Sequence, residues 1–130
     1  RMTQDGKLRL TQWDIRELQK AKGAILAAIH ILMDELGLAA DQLQKIILTG
    51  SFGGQVDIDA VISIGMIPAV DRDIVETIAN GAGLGAAMFL SDDGFQLGEH
   101  LAERAEQVDL DANLNFQQQF VDALALVKRV

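Results

Sequence analysis

Two short apolar segments, each followed by a glycine-rich turn and then a helical pattern, constrain this chain more than any other feature. The segments are residues 46–48 and 74–79, and polar or glycine-rich sequence bounds both of them. Consecutive large apolar side chains in this setting are typical of strands in the interior of an α/β sheet. Because ligands bind beyond the carboxyl ends of the strands in open α/β sheets, the two turns are predicted to form the functional edge.

Helical periodicity and end signals predict the surrounding elements. Thr11 is a good N-cap with Asp14 three residues later, and Gly37 is a natural stop, so one long helix is predicted over Gln12–Leu36. Its predicted apolar face contains Ile15, Leu18, Ile25, Ile29, Leu32 and Leu36, with Ala21 and Ala28 on the same side. Further strands are predicted at residues 7–10 and 108–110, and further helices at 57–64, 81–90 and 94–107. A last helix is predicted after Asn113, with Phe116, Phe120, Leu124 and Val127 on its apolar face.

Gly23 interrupts the long helix. A glycine in a helix interior costs about 1 kcal/mol relative to alanine. Since the helix keeps glycine at this position despite the cost, we predict that another backbone passes close to Gly23. The strand that ends at Thr49, or the helix after Gly81, is expected to cross there.

Composition limits the range of functions. The chain has 130 residues, of which 49% are hydrophobic and 23% charged, as in one globular domain. It has no cysteine, which excludes disulfides, zinc ribbons and iron–sulfur ligation in this stretch. A net charge of −8 argues against a nucleic-acid partner, and no apolar run is long enough for a membrane span. Without a signal segment, the expected location is the cytoplasm.

The first turn offers a backbone that a flat ligand can approach closely. It consists of Thr49, Gly50, Ser51, Phe52, Gly53 and Gly54. Its glycines permit positive φ and place no Cβ in the way of a ligand, and its two hydroxyls can hydrogen-bond a nucleotide. It has neither the Lys-Ser/Thr ending of a Walker A loop nor the full dinucleotide fingerprint. A purely steric need for glycine between strand and helix is an equally good interpretation of the glycine count alone.

The second turn, residues 80–85, begins a helix with small residues that include Gly81 and Gly83. Small residues allow helix and strand to approach each other, and close packing is the main role that we expect here. A ligand contact would come mostly from free backbone N–H groups at the helix start, which favour anions.

No catalytic residue and no metal ligand is assigned from the sequence. His30 and His100 are far apart and lack partners at ligand spacing, so each is interpreted as satisfied by the protein or exposed to solvent. Arg16, Lys20 and Lys22 form a small basic patch on the long helix, which is interpreted as solvated surface.

In this order, the two turns resemble the last two signature segments of the actin-like ATPase superfamily, which includes actin, sugar kinases and heat-shock chaperones. Thr-Gly-x-x-Gly-Gly at residues 49–54 resembles the adenosine segment. Gly-x-Gly-Ala-Ala at residues 83–87 resembles the second connecting segment, where the two lobes meet. The resemblance implies a C-terminal actin-like (ribonuclease H-like) ATPase lobe, an α/β fold with a short central sheet, flanking helices and one long helix.

A closer resemblance extends over nearly the whole chain. It rests on Leu-Thr-Gln-x-Asp-Ile-Arg-Glu-Leu-Gln-x-Ala-Lys-Gly-Ala at residues 10–24, and on residues 48–53 with Asp57, Ile64, Gly65 and Pro68 after them. Residues 80–86 and 116–121 complete it. Together these segments resemble the C-terminal part of the reductive activators of corrinoid proteins and their uncharacterised relatives.

This resemblance implies a role within a larger protein. Members of that family carry an N-terminal plant-type [2Fe-2S] domain, a linker region and an actin-like core. They use ATP with Mg to drive an electron onto the inactive cob(II)alamin of a corrinoid protein, which is the expected partner of the full-length parent. Residues 1–130 would be a single C-terminal subdomain, not catalytic alone, with the cluster cysteines and phosphate-binding segments upstream.

The implied nucleotide-binding residues are Thr49, Gly50, Ser51, Phe52, Gly53, Gly54, Gly81 and Gly83. They would form the adenosine side of the site, and ATP binding by this part alone is expected to be weak or absent. The chain departs from the family at Ser51, where alanine is commoner, and at Gly54 and Gln55, where asparagine or tyrosine is commoner. These departures leave the side-chain contacts of the first turn open.

Two interpretations follow. In the first, the chain is the adenosine-side lobe of an ATP-dependent corrinoid activator. In the second, it is a non-catalytic interaction or dimerisation module that keeps the fold without binding nucleotide, as its acidic surface favours. In the actin-like fold this lobe begins with three antiparallel strands, and only residues 7–10 match one of them. An exposed sheet edge, and a homodimer formed through it, are therefore expected.

Overall fold

The computed structural model of the chain describes residues 8–50 and 55–127. In these ranges the helices are α1 (Gln12–Leu36), α2 (Ile58–Ser63), α3 (Gly81–Met88), α4 (Asp92–Arg104) and α5 (Phe116–Asp122). The strands are β1 (Ile46–Gly50) and β2 (Val75–Ala79), and short 3-10 helices lie at Ala40–Gln42 and Arg72–Ile74. The predicted α/β fold with one long helix is confirmed. No helix in the described ranges is long and apolar enough to cross a membrane.

Local signals set both ends of α1. The Thr11 hydroxyl accepts from the Asp14 N–H at 3.2 Å, and the Asp14 carboxylate accepts from the Thr11 N–H at 2.7 Å, which completes a capping box. The hydroxyl of Thr11 also donates to this carboxylate, and the bonds from the hydroxyl and then the backbone lower the pKa of Asp14. At the other end Gly37 is left-handed, with φ of 63°, and its N–H donates to the carbonyl of Asp34 at 3.1 Å.

β1 and β2 form a two-stranded parallel sheet. Ile46 pairs with Val75 at one end and Gly50 pairs with Ala79 at the other. The chain between the strands contains α2 and forms the crossover that a parallel pair requires. As predicted, Asp57 caps α2, because its carboxylate accepts a backbone N–H of the first turn at 3.0 Å. The pairing is continuous, so the two strands end side by side.

The core lies on one face of this sheet. Its buried members are Val61, Ile62, Ile67 and Val75. Ile29 of α1 and alternate residues of β1, Ile46 and Leu48, pack against them. Side chains alternate along a strand, so Ile47 points to the opposite face, where it is half-exposed. α1 and α2 therefore cover the same face.

α1 is buried along a different face from the predicted one. The predicted face is only partly covered: Ile29 packs against the core, but at least 40% of the surface is exposed for Leu18, Ile25, Leu32 and Leu36. The buried residues of α1 are Lys22, Gly23, Leu26, Ala27 and Ile31. The reason is α5, which packs against α1 on the side where Gly23 permits a close approach. The prediction from periodicity relied on the positions of large apolar side chains, and it could not include the contact with α5 at Gly23.

Gly23 lies against the chain at the end of α5. A Cβ at Gly23 would lie 3.3 Å from Cδ2 of Leu124 and 3.4 Å from the carbonyl oxygen of Ala123. Close passage of another backbone is thus present, as predicted. The predicted partners were wrong, because neither the strand that ends at Thr49 nor the helix after Gly81 supplies this contact.

Two side chains of α1 hold the segment that follows α5. Gln19 donates through Nε2 to the carbonyl of Leu124 at 3.1 Å, and Lys22 donates through Nζ to the carbonyl of Ala125 at 2.6 Å. Lys22 is fully buried, so its interpretation as solvated surface was wrong. A buried ammonium group requires hydrogen-bond acceptors, and the carbonyl of Ala125, close to the end of α5, is one acceptor here.

Neither of the two outer strands that we predicted forms in the described residues. Residues 8–10 contain a single bridging residue, Arg9, and Lys7 lies outside the described residues. Residues 108–110 are irregular chain and a turn. For residues 108–110, a run of three residues does not by itself specify the partner strand that a sheet requires. The last helix is also shorter than predicted, since α5 has Asn115 as its N-cap and ends at Asp122.

Candidate functional site

The two glycine-rich turns leave the sheet at the same edge. Gly50 at the end of β1 is paired with Ala79 at the end of β2. The chain then enters α3 through Asn80. The structure brings together four predicted site residues, Thr49, Gly50, Gly81 and Gly83, and four others, Ser51, Phe52, Gly53 and Gly54, lie outside the described residues. Because both strands are followed by a turn, their parallel pairing places the starts of the two turns at one edge of the sheet.

Gly50 turns the backbone at the end of β1. Its φ is 103°, a conformation in which residues with a side chain are strained. A Cβ built on Gly50 meets nothing within 4 Å, so the backbone angle and not crowding requires glycine here. Thr49 and Gly50 are both exposed. The result is bare, accessible main chain, which a planar group can approach closely.

A hydrogen bond joins the two turns. The hydroxyl of Thr49 accepts from the N–H of Gly81 at 2.8 Å. A Cβ on Gly81 would lie 2.5 Å from this hydroxyl oxygen, so only glycine allows α3 to start this close to β1. Close packing is therefore a sufficient reason for Gly81. The Thr49 hydroxyl still carries its own proton, which remains available to a further acceptor.

Asn80 organises the first turn of α3. It has a left-handed backbone, with φ of 50°, and its side-chain oxygen accepts from the N–H of Gly83 at 3.2 Å. A Cβ on Gly83 would overlap the Asn80 side chain. The N–H groups of Gly81 and Gly83 are therefore both bonded within the protein. Among the described residues, the N–H of Ala82 is the donor at this helix start with no protein acceptor.

The electrostatic character of this edge comes from the backbone. Residues 49–50 and 80–85 contain no ionisable side chain. The edge thus offers glycine surface, a hydroxyl and a backbone N–H, a set that suits an uncharged ring or sugar better than a chain of phosphates. Within residues 8–50 and 55–127, no group of three or more His, Cys, Asp or Glu is arranged to hold a metal ion.

His30 has a partner away from this edge. Its Nδ1 lies 3.3 Å from Oε1 of Gln119. The pair borders a cleft of about 290 Å³ between α1, α5 and Pro68, and no residue of either turn lines that cleft. The interpretation of His30 as a histidine satisfied by the protein agrees with this hydrogen bond.

Asn80 is the residue of this edge that sequence reasoning did not select as a site residue. Its left-handed conformation and its cap place the start of α3 beside Thr49. A signal was available, because asparagine directly before glycine at a strand end tolerates this conformation and is a strong N-cap.

Known proteins share both the sequence and the fold of this chain. The model of the family described as "C-terminal domain of RACo the ASKHA domain" matches residues 1–129. The corrinoid activation enzyme RamQ of Eubacterium limosum is 36% identical over 81 residues, which are 62% of this chain and 14% of that enzyme. The solved structure of a reductive activator for corrinoid, iron-sulfur protein has a TM-score of 0.81 and 26% identity, over 90% of this chain and 19% of that protein. The chain thus spans less than a fifth of the length of these relatives.

Proposed function

This chain belongs to the family of C-terminal ASKHA domains of RACo, and on that premise we propose that it is the adenosine-side, nucleotide-binding lobe of an ATP-dependent reductive activator of corrinoid proteins. The observation that carries the proposal is the pairing of Gly50 with Ala79, since it brings the starts of the two glycine-rich turns to one exposed edge. The names of the two relatives, which refer to corrinoid activation, support the role of the larger protein.

Each residue of the edge has a distinct part in this proposal. Gly50 presents main chain without a side chain, against which the base or the ribose lies. Thr49 donates its hydroxyl proton to the ligand while it holds Gly81 in place. Ala82 supplies the N–H that is left at the start of α3. Gly81 and Gly83 act by allowing this packing, because their own N–H groups are already bonded.

The described residues fit the adenosine part of ATP and leave its phosphates to other segments. Exposed glycine backbone and a hydroxyl suit a ring and a sugar, whereas a triphosphate with Mg needs cationic or metal-ligating groups that this edge does not carry. In the parent protein, ATP would supply the free energy of its hydrolysis for an uphill electron transfer. Ser51, Phe52, Gly53 and Gly54 complete the proposed adenosine contact.

The remaining parts of the activity are proposed for the parent protein. Residues 1–130 act as a single C-terminal subdomain, which is not catalytic on its own. A [2Fe-2S] cluster has to be held elsewhere in the parent, because this chain contains no cysteine. The corrinoid protein is likewise a partner of the parent as a whole.

A second candidate is an interaction or dimerisation module that keeps the fold without a ligand. The observation in its favour is that the N–H groups of Gly81 and Gly83 are satisfied within the protein. A helix start whose N–H groups already donate to protein acceptors binds an anion more weakly than one whose N–H groups are free, which is what the glycine pattern alone indicated.

An NMR titration separates the two candidates. Amide shifts of the 130-residue chain would be followed with adenosine, with Mg-ATP and with Mg-tripolyphosphate, up to about 10 mM, which saturates a site whose Kd is about 1 mM. We expect saturable shifts at residues 49–50 and 80–83 with adenosine and with Mg-ATP, and none with tripolyphosphate. Scattered or unsaturable shifts with all three would favour the interaction module.

A pair of variants tests the role of the hydroxyl. Thr49→Val removes a hydrogen bond worth about 1 kcal/mol, so adenosine should bind roughly fivefold more weakly. Thr77→Val is the matched control, because Thr77 is an exposed threonine of the neighbouring strand and lies outside the edge. Equal affinities for the two variants would contradict the assignment of Thr49.

A further inference from the structure

The cleft between α1, α5 and the segment that precedes β2 is separate from the edge formed by the glycine-rich turns. Ala40 lies before β1 and Ala69 lies before β2, so the cleft stands where the strands begin, whereas both turns follow the strand ends. Its volume is about 290 Å³. Sites for small molecules start at about 300 Å³. The cleft is therefore large enough for a compact ligand that is distinct from the proposed nucleotide.

The base of this cleft is apolar. It is formed by Leu26, Pro68 and Ala123, all of which are buried. Ala123 reaches this depth because Gly23, one helical turn before Leu26, lets the end of α5 approach α1. Apolar walls of this kind favour a hydrocarbon group over water.

Three polar side chains line the cleft nearer to solvent: His30, Gln119 and Asp122. Nδ1 of His30 lies 3.3 Å from Oε1 of Gln119. An amide oxygen only accepts, so Nδ1 carries the hydrogen and Nε2 of the neutral ring is an acceptor. Oδ2 of Asp122 accepts from Nε2 of Gln118 at 3.0 Å. No donor among the described residues bonds Oδ1 of Asp122 or Nε2 of His30, so the mouth of the cleft presents two acceptors.

The electrostatic character of the cleft is acidic. Among the described residues, no lysine or arginine lines it. An adjoining cleft of about 440 Å³ shares Ala40 and Ala69 with it and adds the carboxylates of Asp41 and Asp71. Negative charge beside apolar walls raises the local concentration of small cations. A ligand that suits these surroundings carries a positive charge.

We propose that this cleft binds a small molecule with a primary ammonium group on a compact apolar body. The body packs against Leu26, Pro68 and Ala123, while the ammonium group donates to Oδ1 of Asp122 and Nε2 of His30. Both acceptors require N–H donors, which a quaternary ammonium group does not have. The lysine side chain of another protein fits less well, because its ammonium group stands at the tip and would meet the apolar base. The proposal does not depend on nucleotide binding.

Three compounds with the same ring test the preference for a cation: cyclohexylammonium, cyclohexanol and cyclohexanecarboxylate. Amide shifts of the 130-residue chain would be followed with each compound up to about 20 mM, which saturates a site whose Kd is about 1 mM. We expect saturable shifts at the cleft with a Kd of about 1 mM for cyclohexylammonium, which is within reach of a ligand of this size. Cyclohexanol should bind at least about tenfold more weakly, because it lacks the charge-assisted hydrogen bond, and the carboxylate should not bind. Nuclear Overhauser contacts from the ring to the methyl groups of Leu26 and Ala123 would locate the apolar body.

A pair of variants tests the role of the carboxylate. Asp122→Asn keeps the shape of the side chain and removes its charge, so cyclohexylammonium should bind about fivefold more weakly or worse. Asp111→Asn is the matched control, because it changes the net charge equally at an exposed aspartate that does not line the cleft. Screening by salt should keep the effect of this control below about twofold.

Four outcomes would overturn the proposal. One is the absence of saturable shifts with cyclohexylammonium, and another is equal binding of the three ring compounds. Equal affinities of Asp122→Asn and Asp111→Asn for cyclohexylammonium would remove the assigned role of the carboxylate. Tighter binding of Nα-acetyl-lysine methylamide than of cyclohexylammonium would identify the lysine side chain of a protein as the better ligand.

Discussion

Replacing Gly23 with leucine should lower the free energy of unfolding by about 2–4 kcal/mol, because the end of α5 occupies the space that the side chain needs. A Cβ alone would lie 3.3 Å from Cδ2 of Leu124 and 3.4 Å from the carbonyl oxygen of Ala123. Overpacking of this kind costs about 1–3 kcal/mol. Movement of this segment also weakens the hydrogen bonds from Gln19 and Lys22, each worth about 1 kcal/mol. A gain in helix propensity of about 1 kcal/mol offsets part of the loss.

Two further substitutions show whether crowding is the cause. Gly23→Ala has the same gain in helix propensity but adds a single methyl group, so its effect should be near zero. Ala21→Leu places the same leucine at an exposed position of the same helix and should change stability by less than about 0.5 kcal/mol.

Urea denaturation followed by circular dichroism measures these differences. The transition midpoint should fall for Gly23→Leu and stay close to the parent value for the other two variants. A loss below about 0.5 kcal/mol for Gly23→Leu would refute the close contact between α1 and the end of α5. A loss for Ala21→Leu as large as for Gly23→Leu would show that leucine in this helix, and not the contact, is responsible.

Three other predictions concern single residues. Gly50→Ala should destabilise the fold by about 1–2 kcal/mol because of its positive φ, whereas Gly85→Ala, in a helix with open space around it, should stabilise it by up to about 1 kcal/mol; the two midpoints in urea check this. Lys22→Ala should cost about 2–4 kcal/mol, through a cavity and a lost charged hydrogen bond, against less than about 0.5 kcal/mol for the exposed Lys20→Ala in the same assay. The pKa of Asp14 is lowered in the folded state. Its cap therefore stabilises α1 fully at pH values above the ordinary pKa of the carboxyl group, and this stabilisation is lost as the pH falls through the lowered pKa. Asp14→Ala should thus be less stable than the parent near neutral pH and equally stable in strong acid, and an unchanged difference across this range would contradict the assignment.

The elements that were predictable are those that local chemistry specifies. Thr11 and Asp14 form their capping box within four residues, and Gly37 takes the left-handed conformation that its position in the sequence indicates. The two strands were recognisable because large apolar side chains occur consecutively between polar segments. Their shared edge followed from the parallel order of strand, turn and helix.

The predictions that were wrong concern residues whose environment depends on a partner far away in the sequence. Lys22 lies four residues from both Leu18 and Leu26, so an apolar stripe passes through it, but its burial depends on a carbonyl at Ala125. The residue that contacts Gly23 also comes from the other end of the chain. In the site, the pattern of glycines did not reveal that the N–H of Gly81 is already bonded to Thr49.

The bonds from α1 to the segment after α5 also set an order of events during synthesis. Lys22 and Ala125 are 103 positions apart in the sequence. At about 5–20 residues per second, the ribosome needs roughly 5–20 s to deliver the acceptor after the lysine has been made. During that interval α1 can form a helix without its partner, but Lys22 stays hydrated and the surface of α1 that contacts α5 stays exposed. A chaperone that binds nascent chains therefore has a window of several seconds in which this surface is available, and the window closes when residue 125 leaves the exit tunnel.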